Sequence, residues 1–356
     1  MTVHDPILAA AQRARAAIPD DTAMLRAAAE LARDYALANP RIYWTDLLAS
    51  ALVGWSALAG AILVDNVAIA LACGLVSMLA LYRAASFIHE LTHVRKGALP
   101  GFRLGWNLLV GLPLMIPSFM YEGVHTQHHA RTRYGTADDP EYLPLALMKP
   151  WSLPLFILVA ALAPIGLILR FGLLTPLSLL IPALRRKVVA EFSALSINPA
   201  YRRRAPEGDF ARQWAAQEAG ACVVALALVG SVFAFGWKPL LVYMAVHSAM
   251  TVINQLRTLV AHLWENEGEA MTVTAQYLDS VNVPPPGTLP ALWAPVGLRY
   301  HALHHLLPSV PYHALGKAHA RLMDTLDMDS PYRKGNYAGM MPLVGKIARS
   351  TMTRGA

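Results

Sequence analysis

The sequence predicts an all-α integral membrane protein. Two transmembrane helical hairpins give four spans, with re-entrant or in-plane helices between them and a cytoplasmic helical cap. Three observations carry that expectation. Hydrophobic residues make up 55% of the 356-residue chain and charged residues only 15%, against roughly 25% charged in soluble domains. The apolar residues gather in stretches close to the ~20 residues with which a helix crosses a bilayer core. Basic residues collect at the flanks of those stretches.

Residues 47–64 and 67–87 are separated only by Asp65 and Asn66, which reads as a hairpin with a tight turn. Tyr43 and Trp44 stand at its entrance, where interfacial aromatics belong. Residues 215–237 and 240–263 form the second hairpin, with Lys238 and Pro239 at the turn. Between the hairpins, residues 104–121 contain Pro113 and Pro117, and residues 151–180 contain Pro154, Pro164 and Pro176. Arg95, Lys96 and Arg103 precede the first of these segments, Arg131, Arg133 and Lys149 separate them, and Arg185, Arg186 and Lys187 follow the second. The positive-inside rule places all these flanks in the cytoplasm, so both segments are expected to be re-entrant or in-plane. A six-span alternative would carry the middle histidine cluster away from the other two.

The chain is expected to divide into amphipathic cytoplasmic N-terminal helices (1–44), a membrane domain (45–320) and a cytoplasmic C-terminal tail (321–356). Residues 1–40 are rich in Ala and Arg and lack the apolar core of a cleavable signal, which makes the first hydrophobic segment an uncleaved anchor. This composition suggests a bacterial inner membrane. The net charge of +7 belongs to membrane flanks and anionic-lipid contacts, and no nucleic-acid partner is expected. Cys73 and Cys222 lie in apolar stretches and support neither a disulfide framework nor a thiolate metal site.

The chemistry lies in three histidine clusters: His89 and His93; His125, His128 and His129; His301, His304 and His305. On helices, i, i+3 and i+4 spacings put the rings of each cluster on one face. The first cluster continues the second span, and Pro308 gives the helix of the third a stop. Histidine is a common metal ligand and awkward to bury alone. His89-Glu90-Leu91-Thr92-His93 satisfies the zinc-protease pattern His-Glu-x-x-His, but that reading leaves six clustered histidines unemployed. Eight imidazoles exceed one tetrahedral zinc. Two octahedral irons with open positions would use eight or nine, although nickel, copper and zinc also accept such donors.

The set HxxxH, HxxHH, HxxHH, with hydrophobic hairpins before the first and third, resembles the membrane fatty acid desaturase family, which also includes hydroxylases. The tract from His125 to Glu141 is similar to that family's pattern after its second box. The resemblance implies two irons held by the eight box histidines and a ninth, His262. Thr258 stands four residues before His262, where acyl-CoA desaturases have Asn. It further implies a lipid or fatty-acyl substrate and O2. Without a fused cytochrome b5, it implies an external electron donor of the ferredoxin, rubredoxin or cytochrome b5 type. The expected reaction is desaturation of a fatty acyl chain, with hydroxylation of an apolar substrate as the alternative and non-catalytic metal binding as the alternative of another class.

Because metal-bound imidazoles pass their second N–H to a carboxylate or carbonyl, Glu90, Asp138, Asp139, Glu265 and Glu267 are candidate partners, with Glu122 weaker. His247, within the last span, is expected to be a hydrogen-bonded structural group. His313 and His319 are expected at the surface or behind the ligands, and His4 is incidental.

Overall fold

The computed structural model describes residues 18–95, 97–143, 149, 151–266 and 268–352. His4 and Glu267 lie outside the described residues. Among those described, the architecture is helical, with isolated bridges and no strand.

Helix α1 (Thr22–Tyr35) precedes the first hairpin, α2 (Pro40–Leu63) and α3 (Val67–His93). Asn39 caps α2 by accepting from the Arg41 amide, with Pro40 in the first turn, and Asn66 caps α3 by accepting from the Ile69 amide. The hairpin packs closely at Gly54, where a Cβ would come within 2.7 Å of the Leu81 side chain. Both helices run further towards the histidine side than hydropathy alone indicates: α2 begins at Pro40, and α3 continues without a break through both histidines of the first cluster.

Residues 104–121 do not form a span. The chain makes α4 (Phe102–Trp106), a π turn at Asn107–Gly111 and a 3-10 turn at Ser118–Met120. Helix α5 (His125–His128) follows. Residues 152–180 instead form one continuous helix, α6 (Ser152–Leu180), widened by a π turn at Leu169–Leu174. After α7 (Pro182–Glu191) come α8 (Gly208–Phe235) and α9 (Trp237–Leu259).

Among the described residues, four helices are long and apolar enough to cross a membrane: α2, α3, α6 and α8. The expected number is met, but its membership differs. α6, expected to be in-plane or re-entrant, qualifies. α9, expected as the fourth span, is less apolar because it packs among the other helices and carries His247, Ser248, Thr251, Asn254 and Arg257.

Prolines explain much of this packing. Each removes the N–H that would bond the carbonyl four residues earlier, and three of the freed carbonyls find a side chain from another long helix. The Leu109 carbonyl, freed by Pro113, accepts from Trp55 Nε1 at 2.8 Å. The Pro113 carbonyl, freed by Pro117, accepts from the Tyr243 hydroxyl at 2.8 Å. The Ala160 carbonyl, freed by Pro164, accepts from Thr251 Oγ1 at 2.7 Å. In a lipid interior, where water cannot serve, such pairing is what permits a broken helix. A buried ion pair adds to it: Arg170, in the π turn of α6, donates to Glu218 of α8 at 2.7 Å, and Arg185 reaches the same carboxylate at 2.8 Å.

Short helices close the histidine side: α10 (Val273–Asp279), α11 (Pro290–Trp293), α12 (His301–Leu306), α13 (Tyr312–Thr325), α14 (Pro331–Lys334) and α15 (Met340–Met352). Met24, Ala28 and Leu31 of α1 pack with Leu315, Ala318 and Leu322 of α13 in one apolar cluster. Leu343 and Ile347 of α15 are buried against the loops around α9's end.

Thr251→Val keeps the shape of the side chain but leaves the Ala160 carbonyl unpaired. We expect a loss of about 1–3 kcal/mol, read as a lower thermal unfolding midpoint of the detergent-purified protein. An unchanged midpoint would show that this bond carries no weight.

Candidate metal centre

The long helices deliver the first histidines and the cap delivers the rest. His89 and His93 occupy the last turn of α3, and His125 and His128 lie on α5 with His129 as its C-cap. His301, His304 and His305 lie on α12, which stops at Leu306 ahead of Pro308. His262 follows the end of α9 on a short extended segment bridged to Ser280.

All nine histidines converge, and they do so in two groups. One comprises His89, His93, His125, His129 and His304, and the other His128, His262, His301 and His305. The HxxHH spacing explains the division. Around a helix, i+3 and i+4 fall on opposite sides of residue i. The pair His125 and His129 therefore joins one group while His128 turns to the other, and His301 and His305 separate from His304 in the same way.

The ring nitrogens face one another. Nε2 of His304 lies 2.8 Å from that of His89, 3.1 Å from His93 and 3.2 Å from His129. In the second group, His301 Nε2 lies 3.0 Å from His262 and 3.1 Å from His305. A neutral imidazole carries one ring proton, so three such contacts at a single nitrogen cannot all be hydrogen bonds. Donors bound to a cation at about 2.1 Å and at right angles are separated by about 3.0 Å, and at tetrahedral angles by about 3.4 Å. The observed spacings fit two cations of octahedral type, each with positions left over.

The Nδ1 sides are braced by acceptors. His128 Nδ1 faces both oxygens of Asp139, at 3.0 and 2.9 Å, and Asp139 is itself held by the amides of Gly135 and Glu141. His125 Nδ1 lies 2.9 Å from Glu141 and 2.8 Å from the Tyr121 hydroxyl. His262 Nδ1 lies 2.9 Å from the Tyr134 hydroxyl, which donates to Asp279. Asp139 was expected in this role. Glu141, Tyr121, Tyr134 and Asp279 were not singled out: Glu141 and Tyr134 are inside the tract that carries the resemblance, Tyr121 lies just before it, and no spacing connects Asp279 to His262.

The remaining candidates do other work. Glu90 turns from the histidines to accept from the Tyr43 hydroxyl and, at 3.1 Å, from the Tyr312 amide. It ties α2 and α13 to α3, which also removes the general base that a zinc-protease reading requires. Asp138 is exposed, Glu122 pairs with Arg103 at 2.7 Å, and Glu265 faces Lys346 at 3.8 Å. The expected hydrogen bond of His247 is not found: the ring is buried and neither nitrogen has a partner among the described residues. His319 meets the Tyr332 hydroxyl at 2.8 Å, and His313 accepts from the Asn39 amide at 3.2 Å.

Electrostatics suits ligands that must be neutral. Burial first, and neighbouring imidazole charge second, hold His125, His129, His262, His301, His304 and His305 well below the usual imidazole value. Burial opposes charge on His128 as well, but Asp139 outweighs it and raises that pKa. Burial pushes Glu141 up to about 7.

The fatty acid desaturase family model matches residues 65–336, which include every clustered histidine. The chain belongs to the fatty acid desaturase family. It is an oxidoreductase of that group of membrane di-iron enzymes. It is also 48% identical over 339 residues to a ceramide hydroxylase of Caulobacter vibrioides (strain NA1000 / CB15N), covering 94% of this chain and 96% of the relative. No solved structure matches it. The family membership agrees with the expectation, but the relative corrects the expected reaction. Desaturation was read from the histidine boxes, and the near full-length relative is a hydroxylase. The error has a physical source: one ligand set serves both reactions, which part company only after the first hydrogen is removed.

Two outcomes follow for the site. Asp139→Ala leaves the His128 ring without its acceptor, and we expect about 10- to 100-fold weaker metal affinity, measured by competition with a chelator; unchanged affinity would remove Asp139 from the site. The second concerns acid. Unfolded histidines protonate near 6.5, whereas the six depressed ones stay neutral when folded, so the unfolded chain takes up more protons as pH falls. His128 and Glu141 act in the opposite sense but are outnumbered. Metal-stripped protein is therefore expected to hold its full stability above about pH 6.5 and to lose it progressively below, as followed by thermal unfolding from pH 8 to 5. A midpoint that rises on acidification would contradict this balance.

Proposed function

We propose that the chain is an O2-dependent hydroxylase of a ceramide-type membrane lipid, using two irons held by His89, His93, His125, His129 and His304 on one side and His128, His262, His301 and His305 on the other. The observation that carries the reading is the convergence of nine imidazoles into two groups with octahedral spacing. Near full-length similarity to a ceramide hydroxylase supports the reaction and the substrate.

The chemistry requires such a centre because an alkyl C–H bond has neither acidity nor a leaving group for acid–base side chains to exploit. When bound, the irons supply an oxidant from O2 strong enough to take that hydrogen. The chain's own residues prepare the place. Asp139, Glu141 and Tyr134 orient the rings of His128, His125 and His262 from behind, which directs each Nε2 inward. Depressed pKa values keep His125 and His262 neutral near pH 7. The apolar helices place lipid chains beside the centre, and positioning then selects one carbon among chemically similar ones.

The electron donor in this reading is external, of the ferredoxin, rubredoxin or cytochrome b5 type. The location is a bacterial inner membrane with the centre at the cytoplasmic surface, supported by the basic residues on that side, among them Arg95, Arg131 and Arg133.

Lipid mass spectrometry of expressing cells tests the reaction: we expect ceramide to gain the mass of one oxygen, and loss of two hydrogens instead would refute hydroxylation. Metal analysis is expected to give about two irons per chain, and zinc without iron would sink the di-iron reading. His128→Ala and His304→Ala, one from each group, are each expected to abolish product while the protein still inserts into membranes. Turnover retained by either variant would remove that residue from the ligand set.

A further inference from the structure

Two cavities meet beside the histidine groups. The inner one is bounded by His89, His125, Tyr121 and Glu141, and the outer one by the apolar side chains of Val260, Val281, Val283, Trp293 and Leu298. Arg257, Ala261 and His301 line both, so they form the junction. Trp293, the last residue of α11, is the wall that this segment contributes to the outer cavity. That segment is tied to α3 by the Tyr82 hydroxyl, which donates to the Trp293 carbonyl at 2.9 Å. The outer cavity is narrow and mainly apolar, a lining that favours an alkyl chain over a polar ligand.

The junction itself is polar and unsatisfied. Arg257 Nη2 donates to Asn254 at 3.2 Å, but Arg257 Nε is buried without a partner among the described residues, and so is His301 Nδ1. The two are chemically alike. The guanidinium Nε carries hydrogen at any ordinary pH. His301 turns its Nε2 towards His262 and His305, so a neutral ring acting as a ligand keeps its proton on Nδ1. Two N–H donors therefore face one passage without an acceptor, and burying such groups unpaired costs about 1–3 kcal/mol each.

We propose that Arg257, assisted by His301 Nδ1, is the positioning site for the polar linkage of the lipid substrate, taking an amide carbonyl oxygen as its lipid chain passes along the outer cavity. This rests on the hydroxylase reading above and deepens it. His301 spans the distance with one ring: one nitrogen serves the junction and the other the histidine group. An oxygen held there is beside a ring of the histidine groups, because Arg257 and His301 line the same cavities, so the new hydroxyl is expected near the amide and not towards a chain's methyl end.

The test compares wild type with Arg257→Met and Arg257→Lys in membranes of a bacterial host that supplies reducing equivalents, with a long-chain ceramide as the probe. For Arg257→Met we expect KM to rise at least tenfold with kcat changed far less, and for Arg257→Lys an intermediate rise, with iron content unchanged in both. A folded Arg257→Met with wild-type KM overturns the proposal. If that variant does not fold, a wild-type KM in Arg257→Lys overturns it. Fragment-ion mapping of the product is expected to place the oxygen within a few carbons of the amide, and insertion near a methyl end overturns the proposal too. Binding is read separately from turnover: ceramide is expected to raise the unfolding midpoint of purified wild type and not of Arg257→Met, with an alkane of equal length as control. Equal stabilisation of both counts against the proposal. If wild type converts no ceramide but is still stabilised by it through Arg257, the hydroxylase reading fails and the positioning site stands.

Discussion

Nine imidazole rings with their nitrogens about 3 Å apart are the constraint on which the rest of the fold depends. Neutral rings this close present lone pairs to one another, and burial prevents water from separating them. Charging them is worse, since each proton would sit beside its neighbours. The arrangement is tolerable where cations sit among the rings, and His125, His128 and His262, gripped from behind, hold it in shape. That explains the number of buried acceptors beneath the centre, Asp139, Glu141 and Asp279 among them, and why tyrosines extend their reach.

The membrane part answers a related problem with different groups. Prolines break the segment between the first hairpin and α5, and Pro164 weakens α6, yet each freed carbonyl is met by Trp55, Tyr243 or Thr251 from another helix. The broken segment brings the chain back to the same face after α3, which positions α5 against the end of that helix. A straight span there would have carried His125, His128 and His129 away from His89 and His93.

Much of this was legible because spacing and hydropathy are local. The clusters, their helical placement, the hairpin of α2 and α3 and the continuation of α3 into His89 and His93 all follow from residues near one another in sequence. What was not legible depends on contacts across the chain. α6 was set aside on its flanking charges although its hydropathy qualifies it, and α9 was taken as a span although, packed among the other helices, it is more polar. Glu90 sits in a metal-site motif, but Tyr43 and Tyr312 claim it. Asp279 supports His262 through Tyr134, a relay with no trace in spacing. The reaction outcome was hidden for a different reason: the boxes describe how the oxidant is made and are silent on what becomes of the substrate radical.

The interleaving of the histidines also bears on the order in which the protein is made. Each group draws on the second cluster and on the third. Neither is complete until residues 301–305 have left the ribosome and α12 has docked. Glu90 adds to the dependence, because its bond to the Tyr312 amide waits for that same late segment. In the di-iron reading proposed above, neither ion site exists before that segment docks, so the early helices can insert and wait without enclosing a lone redox-active ion.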